Sequence, residues 1–150
     1  MNGAVEDFLR GKQLLCIDSV AIIYFIEEDP TYLPILEPIF DRVDSGVLRA
    51  LSSFITLIEV LTKPLEVGEV GLAEEYRNRL LGSAGFSLFP VEETVSERAA
   101  HLRAQYRLKT PDAIQIATAI EHGAQAFLTN DEELTRVREI EIVTLQELAK

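Results

Sequence analysis

Residues 110–134 read TPDAIQIATAIEHGAQAFLTNDEEL, and three signals follow one another there. Thr110 can cap a helix and Pro111 suits its first position, so a helix begins at this point. Ala113, Ile114, Ile116, Ala117 and Ile120 then predict a helix packed deeply against a larger surface. Gly123 follows the helical pattern and suits a left-handed cap. AFLTN, 126–130, is a short apolar run of the kind that forms a buried strand. A helix, a glycine turn and a buried strand make the repeating unit of an α/β protein, with Asp112 opening the helix and Asp131 following the strand.

The same alternation extends in both directions. QLLCID (13–18), VLRALS (47–52), FSLFP (86–90) and IEIVT (140–144) are further strand candidates. Helical patterns lie between them at 19–27, 32–43, 53–62, 72–82, 94–106, 111–123 and 131–138, with Gly46, Gly82 and Gly123 as left-handed stops. Strand and helix alternating in this way predict a parallel sheet covered on both faces, a three-layer α/β/α fold. Neither repeat nor linker interrupts residues 1–150, so one domain is expected, with its core at about 13–146.

Composition narrows the function. The chain has 150 residues, 47% of them apolar, which is enough for a real core. Cys16 is the only cysteine, which excludes an internal disulfide and a cysteine zinc cluster; within LLCID it reads as a small buried hydrophobe. No signal-peptide pattern or membrane-length apolar run occurs, which implies a cytoplasmic protein. A net charge of −11 repels polyanions at long range, so a nucleic-acid function needs local bases, bound cations or a basic partner.

Four acids stand where an open parallel sheet forms its sites, beyond strand ends or on the helices that follow. Each also has a structural explanation. Asp18 could simply cap the helix that begins near Ser19. Glu59 lies among Phe54, Ile55, Leu57, Ile58, Val60 and Leu61, so its helix is expected to be largely buried. A buried carboxylate costs several kcal/mol unless paired, protonated or cation-bound, and an i,i+4 pair with Lys63 is the plainer account. Asp112 complements a helix dipole. Asp131 follows Asn130, which with Glu133 resembles a capping box. If the four converge, two carboxylates at ~5 Å repel by about 3 kcal/mol at an effective dielectric near 20. Protons or a hard cation would relieve that repulsion, and oxygen-only donors suit Mg²⁺ or Mn²⁺ rather than zinc.

LCIDSVAIIYFIE, SFITLIEVL, TPDAIQIATAIEHGAQAFLTNDEEL and IEIVT together resemble the PIN-domain family, which includes the VapC-type toxins, over about Leu14 to Leu145. The resemblance implies a five-stranded parallel sheet and a metal-dependent endoribonuclease, the toxin of a type II toxin–antitoxin pair. In it Asp18, Glu59, Asp112 and Asp131 match the family's acidic quartet. One or two Mg²⁺ or Mn²⁺ ions held by these acids would activate water and stabilise charge on the phosphate. Asp18 and Asp112 would ligate directly, Glu59 would orient or deprotonate the water, and Asp131 would hold a weaker or second ion. Ser19 and Thr129 would support them by hydrogen bonds, and Glu133 is an extra candidate acid. Arg103, Arg107 and Lys109, with Arg98 in the same segment, could meet RNA phosphates, although a solvated helix face explains them as well. The implied partners are an RNA substrate, a cognate antitoxin and a second copy in a homodimer.

The first motif departs from the family. It reads Asp18-Ser19-Val20 where Asp-Thr-Asn or Asp-Thr-Ser is common, so a polar side chain is lost at Val20. That loss and the acidic charge leave a second reading open, a catalytically weak PIN-like module that binds RNA or protein. A phospho-acceptor regulator also places an acid after a parallel strand, but its usual strand-end lysine is not evident. His101 and His122 lie in no catalytic motif, and Tyr24 and Phe25 read as core rather than base-stacking residues.

Overall fold

Leu15 and Ile17 of strand β1 (Leu14–Ile17) pack on one side of the sheet and Cys16 on the other. The same alternation separates Ala50 from Leu51 in β2 (Arg49–Ser53) and Leu128 from Phe127 in β4 (Ala126–Thr129). Because both faces are covered, β1 and β4 read as nearly continuous apolar runs, while β2 ends on two serines that are fully buried. With β3 (Phe86–Phe89) and β5 (Glu141–Thr144) they form one sheet of order β3-β2-β1-β4-β5, parallel throughout. This computed structural model describes residues 3–150.

Two layers of helix close the sheet. On one side α1 (Gly3–Leu9), α2 (Ser19–Ile26), α3 (Leu33–Asp44) and α8 (Leu145–Leu148) pack around Leu15, Ile17 and Leu128. Val60 of α4 (Ile55–Glu66) and Leu80 of α5 (Val70–Gly82) join that core. On the other side α6 (Glu93–Tyr106) and α7 (Thr110–Glu121) pack around Cys16, Leu51 and Phe127. Phe127 has no exposed surface, and burying such a side chain contributes roughly 1.5–3 kcal/mol. The three-layer α/β/α architecture and the five-stranded parallel sheet are therefore as expected.

Several local expectations are corrected. The helix expected at 131–138 is a 3-10 turn, Glu132–Arg136, with only Leu134 buried. One apolar anchor gives an α-helix too little to pack on. Helices α1 and α8 were not anticipated, since each is under eight residues; α8 is held by a capping box between Thr144 and Glu147. Gly46 and Gly123 do have positive φ, but Gly82 does not: it ends α5 and the chain leaves through Ser83 in extended backbone. Gly85 is the glycine that packing demands. A Cβ there would stand 2.6 Å from Val43 O and 2.9 Å from Val43 Cγ1, at the seam between α3 and the sheet. Gly85→Ala is expected to destabilise the protein by about 1–3 kcal/mol, the usual cost of overpacking. An unchanged urea midpoint would refute this. Among the described residues, no helix is long and apolar enough to cross a membrane.

Candidate active site

From β1 the chain winds outward to β2 and β3, then returns to β4 and β5 on the other side, so the winding reverses between β1 and β4. A crevice opens beyond the carboxyl ends of such a pair. Ile17 pairs with Leu128, and Asp18 N–H donates to Leu128 O at 2.9 Å, which puts Asp18 at the sheet edge beside Thr129. Asp18 is 8% exposed. Its Oδ1 accepts from Ser19 N at 2.8 Å and its Oδ2 from the Thr129 hydroxyl at 2.7 Å. It caps α2 and presents a carboxylate to the crevice at once, because the strand end and the helix start coincide.

The other three acids come from different elements. Glu59 corrects an expectation: it is exposed, and its helix is not buried all round, since Ile58 is 62% and Leu65 52% exposed. Burial falls instead on Thr56, Val60 and Pro64, a stripe four residues apart that a run of apolar letters hides. Glu59 makes no ion pair with Lys63 among the described residues; its Oε1 accepts the Ser19 hydroxyl at 2.8 Å. Asp112 is half-buried on the first turn of α7, whose N-cap position is Lys109 rather than Thr110. Asp131, not Asn130, caps the 3-10 turn, its Oδ1 accepting from Glu133 N at 3.0 Å. Asp131 N–H donates to Thr129 Oγ1 at 3.2 Å, so Thr129 links the acids that follow β1 and β4.

All four line one cleft of about 510 Å³, with Ser19, Val20, Tyr24, Asn130, Glu132 and Gln146. Five carboxylates face it and none of its lining residues is basic, so negative charge is uncompensated from within. Burial, aided by the charges of Asp112 and Glu59, raises the Asp18 carboxyl to about 6, although hydrogen bonds from Thr129 and Ser19 pull the other way. Asp112 is also raised, first by burial and then by Asp131 and Glu59; Lys109 opposes this. Asn130 Oδ1 is the one buried side-chain oxygen without a hydrogen-bond partner among the described residues. The donor set is entirely oxygen, which fits Mg²⁺ or Mn²⁺. Among the described residues no three such groups already stand in ligating arrangement. Asp18 and Glu59 instead hold their hydrogen-bond partners.

The remaining candidates divide. Arg103 Nε donates to Leu108 O at 3.0 Å and ties the α6–α7 turn, and Arg107 is the left-handed cap of α6 at φ 57°. Arg98 is paired with Glu121. Lys109 is the base whose charge reaches an acid of the cleft. Glu132, rather than Glu133, lines the cleft. His101 is exposed, and His122 stacks on Phe89 with ring centroids 3.7 Å apart. Phe25 stacks on Phe40 against the core. Tyr24 stacks on Tyr32 at 5.1 Å yet also lines the cleft, so it is not core alone. Gln115 and Gln146 carried no sequence signal; a glutamine three residues after Asp112 looks like any polar helix position.

Curated protein sequences gave no match. Among solved structures, VapBC2 from Rickettsia felis bound to a promoter DNA fragment is similar at a TM-score of 0.70 and 12% identity, covering 88% of this chain and 98% of that one. DNA-bound VapBC from Salmonella typhimurium is similar at 0.68 and 18%, covering 89% and 98%. A toxin–antitoxin complex from Klebsiella pneumoniae is similar at 0.64 and 20%, covering 87% and 97%. At such identities these likenesses speak for the fold. The sequence model of the PIN domain matches residues 15–140, a span that runs from β1 past the 3-10 turn and takes in all four acids of the cleft. On that match the chain belongs to the PIN domain family.

Proposed function

We propose that this protein is a Mg²⁺- or Mn²⁺-dependent endoribonuclease that hydrolyses RNA phosphodiester bonds, and the toxin partner of an antitoxin. The observation that carries the reading is one cleft lined by Asp18, Glu59, Asp112 and Asp131 with no base among its lining residues. Such a cleft repels a phosphate unless a cation enters first, so the charge that opposes RNA binding is the charge that selects the ion. When bound, the ion activates water and neutralises charge on the phosphate.

The residues of the chain divide the remaining work. Asp18 and Asp112 would hold the ion, and Thr129 keeps Asp18 turned for this through its bond to Oδ2. Glu59 has Oε1 engaged by Ser19, which leaves Oε2 to take the proton of the attacking water. That water would form the new bond to phosphorus as the bond to the leaving ribose oxygen breaks, and the leaving oxygen would take its proton from solvent. Asp131 would hold a second or weaker ion, and Lys109, whose charge reaches Asp112, would meet the substrate backbone. The solved VapBC and toxin–antitoxin complexes support an antitoxin partner. Exposed Ile58, next to Glu59 in the chain, and Leu65 further along α4 give such a partner apolar surface.

The deciding experiment incubates the protein with a mixed RNA pool, with and without Mn²⁺. Cleavage is expected only with the ion and is abolished by a chelator. At 100 times its Kd, Mn²⁺ should stabilise the fold by about 2.7 kcal/mol. Cleavage indifferent to the metal would sink the mechanism. Metal stabilisation without cleavage of any RNA would favour the reading as a binding module with a weakened site, as Val20 in the cleft suggests.

A further inference from the structure

We propose that Gln115 is a positioning residue that orients Glu59 through Ser19; this rests on the reading of the acidic cleft as the active site. Gln115 is 1% exposed, one turn along α7 from Asp112. Its amide has one allowed orientation. Ser53 N–H can only donate, and it reaches the Gln115 side chain at 3.1 Å, so the atom it meets is Oε1. The hydroxyls of Ser52 and Ser53 reach the same oxygen at 3.1 and 2.8 Å.

With the oxygen placed, Nε2 faces the cleft side. Its two hydrogens go to Ser19 Oγ at 2.9 Å and Thr56 Oγ1 at 2.7 Å. Ser19 Oγ thus accepts from Gln115 and has a single proton to give; Thr56 Oγ1 at 2.9 Å and Glu59 Oε1 at 2.8 Å both lie within reach, and the carboxylate is the stronger acceptor. A directed chain runs from the β2 backbone through Gln115 and Ser19 to a catalytic carboxylate. Glu59 is exposed, and without that hydroxyl its long side chain would sample its rotamers freely. Buried networks of this kind also knit a fold, and here β2, α2, α4 and α7 all meet at Gln115. The two roles differ in what they predict for folded protein: a purely structural role lowers stability and leaves metal binding and turnover per folded molecule alone.

The test compares wild type, Gln115→Met, Ser19→Ala and the double variant. Each is confirmed folded by thermal unfolding, then titrated with Mn²⁺ by loss of the free-ion EPR signal and assayed for Mn²⁺-dependent RNA cleavage. Gln115→Met keeps length and removes the donors. If it does not fold, Gln115→Glu, which keeps an acceptor for Ser53 N–H, takes its place. Removing such an outer partner costs about 10- to 100-fold in metal affinity or activity. We expect a loss in that range for Gln115→Met and no further loss when Ser19→Ala is added. Unchanged affinity and turnover, or losses that multiply in the double variant, would overturn the proposal. A crystal structure of the metal-free glutamine variant gives a readout free of activity. The Ser19–Glu59 contact should be broken or split between rotamers, and its retention would overturn the positioning. Should wild type neither bind Mn²⁺ nor cut RNA, the nuclease reading fails, and that crystal structure still decides whether Gln115 places Glu59.

Discussion

Asp112→Asn should reduce RNA cleavage by about three orders of magnitude, ~4 kcal/mol of transition-state stabilisation, while making the metal-free protein more stable. The opposite signs follow from where Asp112 sits. It opens α7, where the helix dipole and Lys109 favour a negative charge. Burial and the charges of Asp131 and Glu59 act against it, and they win: the Asp112 carboxyl is raised, not lowered. The folded metal-free protein thus tolerates this charge at a cost, and Asn removes the cost with almost no change of shape. It also removes a ligand, so Mn²⁺ should no longer stabilise the variant. Initial cleavage rates and melting temperatures with and without Mn²⁺ check both halves. A variant that keeps wild-type cleavage would refute the role given to Asp112, and one that melts lower without metal would refute the electrostatic account.

Asp18→Asn should change the pH dependence of stability. The folded Asp18 carboxyl ionises at about 6 against an ordinary 3.8, chiefly through burial. Between those values the folded state binds more protons than the unfolded one, so stability falls as pH rises through the window and the loss is complete above it. The full penalty is about 3 kcal/mol. Wild type and the Asn variant should therefore match near pH 4, and at pH 7.5 without metal the variant should be the more stable. For a protein of this size that is a gain of roughly 5–10 °C in melting temperature. Mn²⁺ at about 1,000 times its Kd should reverse the order, because only wild type gains the binding energy, by then about 4 kcal/mol. Calorimetry at the two pH values would reject the account if the variant were less stable at pH 7.5.

Much of this arrangement was legible in the sequence. QLLCID and AFLTN read as strands because both faces of a parallel strand are apolar, and their register did not have to be known for that. Asp18 and Asp131 were visible because strand ends show in one dimension. Glu59 stands out in the sequence as an acid in an apolar helix, yet that helix exposes Ile58 and Leu65, and the acid is itself exposed. Which side of a mostly apolar helix is covered depends on its neighbours, and the letters of α4 do not carry that. The 3-10 turn after Asp131 and the extended exit at Ser83 are hidden in the sequence for a related reason, since short segments take their geometry from what they pack on.

The alternation of buried strands and helices, the layered α/β/α class and four acids at positions where such a sheet forms its sites can all be read from the chain alone. Those properties follow from periodicity and local chemistry, which act between near neighbours. The folded arrangement is needed to show that the acids share one cleft, that its lining holds no base, and that Gln115 joins Ser53 N–H to Ser19 and so to Glu59. These contacts span 40 to 96 residues of chain, and the order of strands across the sheet is what brings them within hydrogen-bond reach.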